Sequence, residues 1–286
     1  MKDSKNKILN YINLKDYKPF DYSIPTIKLN IIIINNTNVK VISELRLIKE
    51  NIYTNHISLK GRDIEINKLY LNNIELKNDF FCIEEDKLVI NNIKNKENIL
   101  RIESSINPKE NISLLGMYES NKIITTQCEA EGFRKICFHP DRPDILSKYI
   151  VKIEADKKKY PVLLSNGNLV SHISLKNDRH VVVWEDPYPK PSYLFALVAG
   201  DLKCVEDNYF TKSNRKININ LYVEDGDEIY VQHAIDSLKR AMKWDEDKYN
   251  LEYDLNLFNI VAIRHFNMGA MENKSLNIFN SKLVLA

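Results

Sequence analysis

The segment Asn267-Met268-Gly269-Ala270-Met271-Glu272-Asn273-Lys274 holds the residue types most able to do chemistry. Gly269 lets another backbone approach closely, and Ala270 adds almost no bulk. An extended peptide could therefore pair with this stretch through main-chain hydrogen bonds, whatever its side chains. Glu272 ends that track with a carboxylate in a mostly apolar setting, able to hold a cation such as a free amino terminus. A glycine turn followed by a solvated glutamate explains the same residues without any ligand. The residues alone leave both readings open. Glu129 and Glu131 lie close to Arg134 and Lys135, where salt bridges are the plain structural reading.

Histidine and cysteine offer less. A catalytic zinc site of the H-E-x-x-H type needs two imidazoles one helical turn apart and a glutamate between them as base. The six histidines are His56, His139, His172, His180, His233 and His265, and no two are four positions apart. No metal ligand set is therefore expected in this sequence. His172 and His180 fall in a hairpin and read as surface or core residues. Cys82, Cys128, Cys137 and Cys204 form no C-x-x-C pair and read as free, buried thiols.

The elements that would carry these residues change character along the chain. From Tyr17 to about Val205 short alternating segments dominate, among them Ile27 to Ile31, Val39 to Val41, Leu45 to Leu47, Ile57 to Leu59, Leu69 to Ile74, Leu88 to Ile90 and Ile99 to Ile102. Alternation places one strand face on a core and the other in water. Asn72-Asn73, Asn91-Asn92 and Asp141-Arg142-Pro143-Asp144 supply turns. Pro187-Tyr188-Pro189-Lys190-Pro191 reads as an extended connector, and Tyr193 to Ala199 as a buried strand ending at Gly200. Many strands without helices indicate a sandwich or an open, curved antiparallel sheet. Beyond, Ile217 to Val223 alternates, and Val231, Ile235, Leu238 and Met242 mark an amphipathic helix from about Glu228 to Trp244. Leu255 to Ile263 and Leu276 to Leu285 read as strands. The division falls near Gly200 to Asp207, giving domains 1–203 and 204–286, with an exposed apolar edge expected at Ser281 to Ala286.

Composition narrows the class. The 286 residues are 44% hydrophobic and 28% charged, so a buried core is feasible. Lys and Arg total 41 against 39 Asp and Glu, which argues against a nucleic-acid binder working by bulk charge. Seven glycines and nine prolines exclude collagen-like and low-complexity classes. No apolar run has signal-peptide or membrane-spanning length, so a cytoplasmic protein is expected.

Gly269-Ala270-Met271-Glu272-Asn273 resembles the exopeptidase signature of the aminopeptidase N family of zinc metallopeptidases, bacterial type. The likeness continues through Phe266 to Met268, Lys274 and Leu276 to Lys282. It extends to Thr126-Gln127-Cys128-Glu129-Ala130-Glu131-Gly132-Phe133-Arg134-Lys135, Asp141 to Asp144, Leu164-Ser165-Asn166-Gly167-Asn168 and Lys243-Trp244-Asp245-Glu246. It is strong from about Tyr118 onward and faint before. The resemblance implies a mainly β fold: a curved β-sandwich or saddle domain, then the opening α+β sheet of a thermolysin-like catalytic domain. It also implies that Glu129 and Glu272 clasp a substrate's α-ammonium, with Gly269 and Ala270 bonding its backbone. Gln127 and Met268 would line the pocket for the first side chain, and Met271 and Asn273 complete the motif. At an effective dielectric near 20, one charge pair at about 4 Å is worth about 4 kcal/mol before desolvation.

The sequence departs from that pattern at Ser275, where the bacterial type usually has Gly, at Leu283, where Tyr is usual, and at the basic pair Arg264-His265. The family's catalysis requires Zn²⁺, whose H-E-x-x-H ligands follow the signature in the family and are not in this sequence; the catalytic base and tyrosine are likewise expected beyond Ala286. The expectation is therefore the amino-terminal part of a zinc aminopeptidase acting on peptides with a free amino terminus, inactive alone because ammonium binding without water activation gives affinity and no hydrolysis. Its ending fits an interrupted gene, an incomplete sequence, or half of a split enzyme needing a carboxy-terminal partner. The rival class is a non-catalytic peptide-binding module.

Overall fold

The computed structural model describes residues 13–285. The opening residues read above for a leader, up to residue 12, and Ala286 lie outside the described residues. An eight-stranded sheet carries the isoleucine-rich alternation. Its strands run in the order Asn168–Ser174, Arg179–Lys190, Ser147–Asp156, Tyr22–Asn35, Asn38–Lys49, Glu97–Ile106, Glu65–Leu71 and Ile74–Glu75. Tyr22–Asn35 sends Ile27, Leu29, Ile31 and Ile33 into the core. Its partner Asn38–Lys49 does the same with Val39, Val41, Leu45 and Leu47. Val39 to Val41 and Leu45 to Leu47, expected as separate strands, are thus one, because no turn residue interrupts them. Asn72 and Asn73 both take positive φ, 53° and 66°, and make the tight hairpin. The proline run Pro187 to Pro191, expected as a connector, continues Arg179–Lys190 as strand up to Lys190.

Two smaller sheets pack with it. Ile57–Lys60, Lys87–Ile90 and Phe81–Glu84 form one. The other runs Val162–Ser165, Leu197–Gly200, Ile123–Gln127, Gly116–Ser120. The expected strand Tyr193 to Ala199 begins later, because Ser192–Leu194 closes as a 3₁₀ turn behind Pro191.

After Gly200 the chain enters a five-stranded sheet in the order Lys203–Phe210, Lys216–Val223, Leu257–Ile263, Leu276–Asn280, Ala270–Met271. Lys216–Val223, Leu257–Ile263 and Leu276–Asn280 are parallel to one another, and the helix Gln232–Tyr249 supplies the crossover between the first two. The helix seats Ile235 and Met242 against the sheet and stops at Asn250, which accepts the left-handed conformation at φ 53°. The last element corrects the expectation of a strand running to Leu285. Strand ends at Asn280, whose side chain accepts from the Lys282 N–H and starts the short helix Ser281–Val284. Val284 is thereby buried and Leu283 left exposed.

One apolar cluster spans both parts. It joins Ile31, Leu45, Phe133 and Tyr149 to Val261, Ile263, Met271, Leu276 and Ile278. All four cysteines are free; Cys128 and Cys137 are buried as expected, whereas Cys82 is half-buried and Cys204 exposed on an outer strand.

Candidate functional site

Gln127 ends the strand Ile123–Gln127, fully buried, and its Nε2 donates to Met268 Sδ at 3.3 Å. That contact ties together two segments 141 residues apart in the chain. Beyond Gln127 the backbone curls, with Gly132 N–H donating to the Cys128 carbonyl at 2.8 Å, and Glu129 rides on this turn, half-buried. The turn needs glycine: a Cβ at Gly132 would lie 2.3 Å from the Gln127 carbonyl oxygen.

The two acids of this segment have different work. Glu131 takes the structural role, pairing with Arg134 at 2.9 Å. Glu129 forms no ion pair among the described residues. Arg134 is itself buried against Asp141, Nε to Oδ2 at 2.8 Å, and Asp141 also accepts from Ser192 Oγ at 2.8 Å. This network pins the far side of the turn. Asp141 N–H donates to His139 Nδ1 at 2.9 Å, so the neutral ring carries its proton on Nε2. Burial lowers the His139 pKa to about 3.

On the other side, the signature stretch is held at both ends. At its start, Ser120 Oγ meets His265 Nδ1 and accepts from the His265 N–H, both at 3.1 Å, while Tyr118 OH donates to the His265 carbonyl. Arg264 pairs with Glu224 at 3.0 Å and Asp227 at 2.6 Å. The basic pair Arg264-His265 thus anchors the loop. At its end, Lys274 Nζ binds Asp254 and lies 4.5 Å above the Tyr188 ring. Ser275 sits at φ 61°, a conformation glycine adopts freely. Its Oγ accepts from Gly167 N–H at 2.5 Å and donates to the Gly167 carbonyl at 3.3 Å.

Between these anchors, Ala270–Met271 is the outermost strand of its sheet, paired among the described residues only with Leu276–Asn280. Asn280 N–H donates to the Gly269 carbonyl at 2.9 Å. Antiparallel pairs alternate between bonded and non-bonded residues, so Ala270, next in register opposite Phe279, turns its N–H and C=O to the open edge. Met271 is buried below, Glu272 is exposed, and Asn273 is buried with Nδ2 donating to the Met271 carbonyl. Gln127 Oε1 and Asn273 Oδ1 are buried without a protein partner, leaving two unused acceptors near the edge strand. Glu272 joins no ion pair among the described residues. Among the described residues no hydrogen bond joins the Glu129 turn to Glu272 itself; the two segments meet through Gln127 and Met268. Chain geometry places the α-carbon of Glu129 within about 7 Å of that of Gln127, and Glu272 within about 14 Å of Met268.

The sequence profile of the Peptidase M1 N-terminal domain matches residues 22–194, more than half of the chain, and that of the Peptidase family M1 domain matches residues 233–286. The chain belongs to peptidase family M1. Aminopeptidase N of Caulobacter vibrioides is 46% identical over 275 residues, covering 96% of this chain and 32% of that protein. Aminopeptidase N of Escherichia coli is 45% identical over 273 residues, 95% of this chain and 31% of that protein. The crystal structure of Legionella pneumophila aminopeptidase A in complex with aspartic acid matches with a TM-score of 0.91 at 35% identity, over 96% of this chain and 32% of that one. This M1 chain therefore spans about a third of the length of the relatives it matches. Its mainly β architecture corresponds to the amino-terminal domain and the start of the catalytic domain of that fold.

Sequence reasoning missed the braces around the signature of this M1 chain. Asn166-Gly167 and Ser275 entered the sequence reading only through the resemblance, because residues 108 apart carry no local sign that they bond. No described helix is long and apolar enough to cross a membrane. Among the described residues no three His, Cys, Asp or Glu side chains converge to hold a metal ion.

Proposed function

We propose that this chain is the amino-terminus-recognising part of a cytoplasmic zinc aminopeptidase, divided near residue 203 into a β domain and the opening of the catalytic domain. The supporting observation is the Gln127–Met268 contact, which joins the Glu129 turn to the segment that runs through the open edge strand Ala270–Met271 into Glu272. In this reading an extended peptide lies along Ala270, whose N–H and C=O face outward, with Gly269 leaving room. Glu129 and Glu272, neither paired with a cation among the described residues, take the α-ammonium from two sides. The free acceptors of Gln127 and Asn273 complete its shell, and Met268 with Gln127 borders the first side chain. An acylated or internal nitrogen has no charge to offer two carboxylates, which makes the site selective for chain ends.

Hydrolysis needs water activation, which no cluster of described residues supplies. Zn²⁺, its ligands and the general base belong in this reading to polypeptide outside the 286 residues, joined to this chain or supplied as a carboxy-terminal partner. The chain alone then binds without cleaving, a peptide-binding module in practice. Calorimetric titration with trialanine and with N-acetyl-trialanine tests this. Expected is at least tenfold tighter binding of the free amine, lost on Glu272→Ala and on Glu129→Ala, with no alanine released when Zn²⁺ is added. Equal binding of the two peptides, or metal-dependent release by this chain alone, overturns the reading.

A further inference from the structure

The turn Asn166-Gly167 belongs to the β-rich first part of the chain, yet its bonds reach the signature loop. Asn166 Nδ2 donates to the Lys274 carbonyl at 2.8 Å and to the Leu194 carbonyl at 3.0 Å, while its Oδ1 accepts from Ala196 N–H at 2.8 Å. Every polar atom of that amide is engaged, so the side chain is held rigid and acts as a bracket between two loops. One residue on, Gly167 exchanges bonds with Ser275 through N–H and carbonyl. Gly167 stands at φ 91°, and a Cβ there would lie 2.1 Å from the Glu185 carbonyl oxygen, so the turn is tied to its own sheet. Ser275 in turn gives its carbonyl to Asn259 N–H at 2.7 Å.

Ser275 holds a left-handed conformation that a side chain disfavours, and its hydroxyl makes two bonds that a glycine could not. We infer that Asn166, Gly167 and Ser275 form a latch between the two parts of the chain, whose role is to position strand Ala270–Met271 and Glu272 for the amino-terminal residue of a peptide. The inference rests on the proposed recognition function. The three are positioning residues: they act through the Lys274 and Ser275 backbone. Lys274 is two residues past Glu272, so a shift of its carbonyl passes directly to that carboxylate. Among the described residues the strand itself has one neighbour to resist the shift.

Asn166→Asp keeps the acceptor for Ala196 N–H and replaces the donor to Lys274. Ser275→Ala loses the hydroxyl and keeps the unfavourable φ. Ser275→Gly loses the hydroxyl and relieves the φ, so it folds readily and separates the two effects. Amide hydrogen exchange on the full chain reads the latch without any ligand. Expected is exchange about tenfold faster at the Asn280 N–H, which bonds to Gly269, in Asn166→Asp and Ser275→Ala, and about threefold faster in Ser275→Gly. Amides of Lys216–Val223 should be unchanged. Affinity for trialanine should fall about tenfold in the first two variants and return to within about threefold of wild type in Ser275→Gly. Unchanged exchange at Asn280 in Ser275→Gly, or a lowered melting temperature with trialanine affinity intact, overturns the latch. If the wild type fails to distinguish trialanine from its N-acetyl form, the recognition reading fails, and the exchange arm still decides whether the latch orders the strand.

Discussion

Glu129 and Glu131 are two residues apart and chemically identical, yet only Glu131 is spent on a local cation. Its partner Arg134 is buried, and the pair it makes with Asp141 is the costly one to break. Asp141→Asn keeps the shape but leaves the buried guanidinium with the solvated Glu131 as its remaining counter-charge, for which the expected loss is about 3–5 kcal/mol in urea unfolding. Glu131→Gln, whose carboxylate is solvated, should cost under about 1 kcal/mol in the same measurement. Beside them His139 is buried neutral, with Nδ1 facing the Asp141 N–H, so protonation would set two donors against each other. Burial lowers its pKa from 6.5 to about 3. Between those values the unfolded chain takes up a proton that the fold refuses, so stability falls as pH drops below 6.5, by about 1.4 kcal/mol per unit from this group. Urea midpoints at pH 7, 5.5 and 4 should therefore fall more steeply in the wild type than in His139→Asn. The residues Gly269 to Asn273 stood out by their resemblance to a family motif and not by their types, which a glycine turn with a solvated glutamate explains as well. Which glutamate upstream was free was not legible, because salt-bridge choice depends on where Arg134 is buried.

Strands were read well where alternation was long and poorly where chemistry at their ends decided the outcome. Ile27 to Ile31 alternates in sequence, and from Ile27 to Ile33 the strand buries every second residue, a pattern that only one pairing register satisfies. The stretch after Asn280 is as apolar as a strand, but a side-chain cap converts it to helix and removes the expected exposed edge. The open edge lies elsewhere, at Ala270–Met271, beside the proposed ligand track. The turn at Gly167 is the element most sensitive to a single methyl group. Gly167→Ala adds left-handed strain and a clash with the Glu185 carbonyl, for an expected loss of about 2–5 kcal/mol in chemical denaturation.

At the scale of the molecule, the sheet that carries Met271 and Ile278 shares one apolar cluster with the β-rich part that carries Ile31 and Phe133. Phe133 is central to it, with ring centroids 5.2 Å from His139, 6.0 Å from Tyr149 and 5.2 Å from Phe195. Two parts that bury each other's apolar surface should unfold together. Calorimetry is expected to show one transition with matching calorimetric and van't Hoff enthalpies, and Phe133→Ala should lower it as a whole, by about 3–5 kcal/mol. Two resolved transitions would count against a shared core. The amino-acid sequence by itself determined the β class, the helix after residue 230 and the family resemblance, because periodicity and rare residue combinations are local properties. Only the tertiary structure decided that Gln127 meets Met268, that Asn166 braces Lys274, and that Ala270 faces an open edge. Those facts depend on which distant segments the common core draws together, and burial energy is indifferent to their separation along the chain.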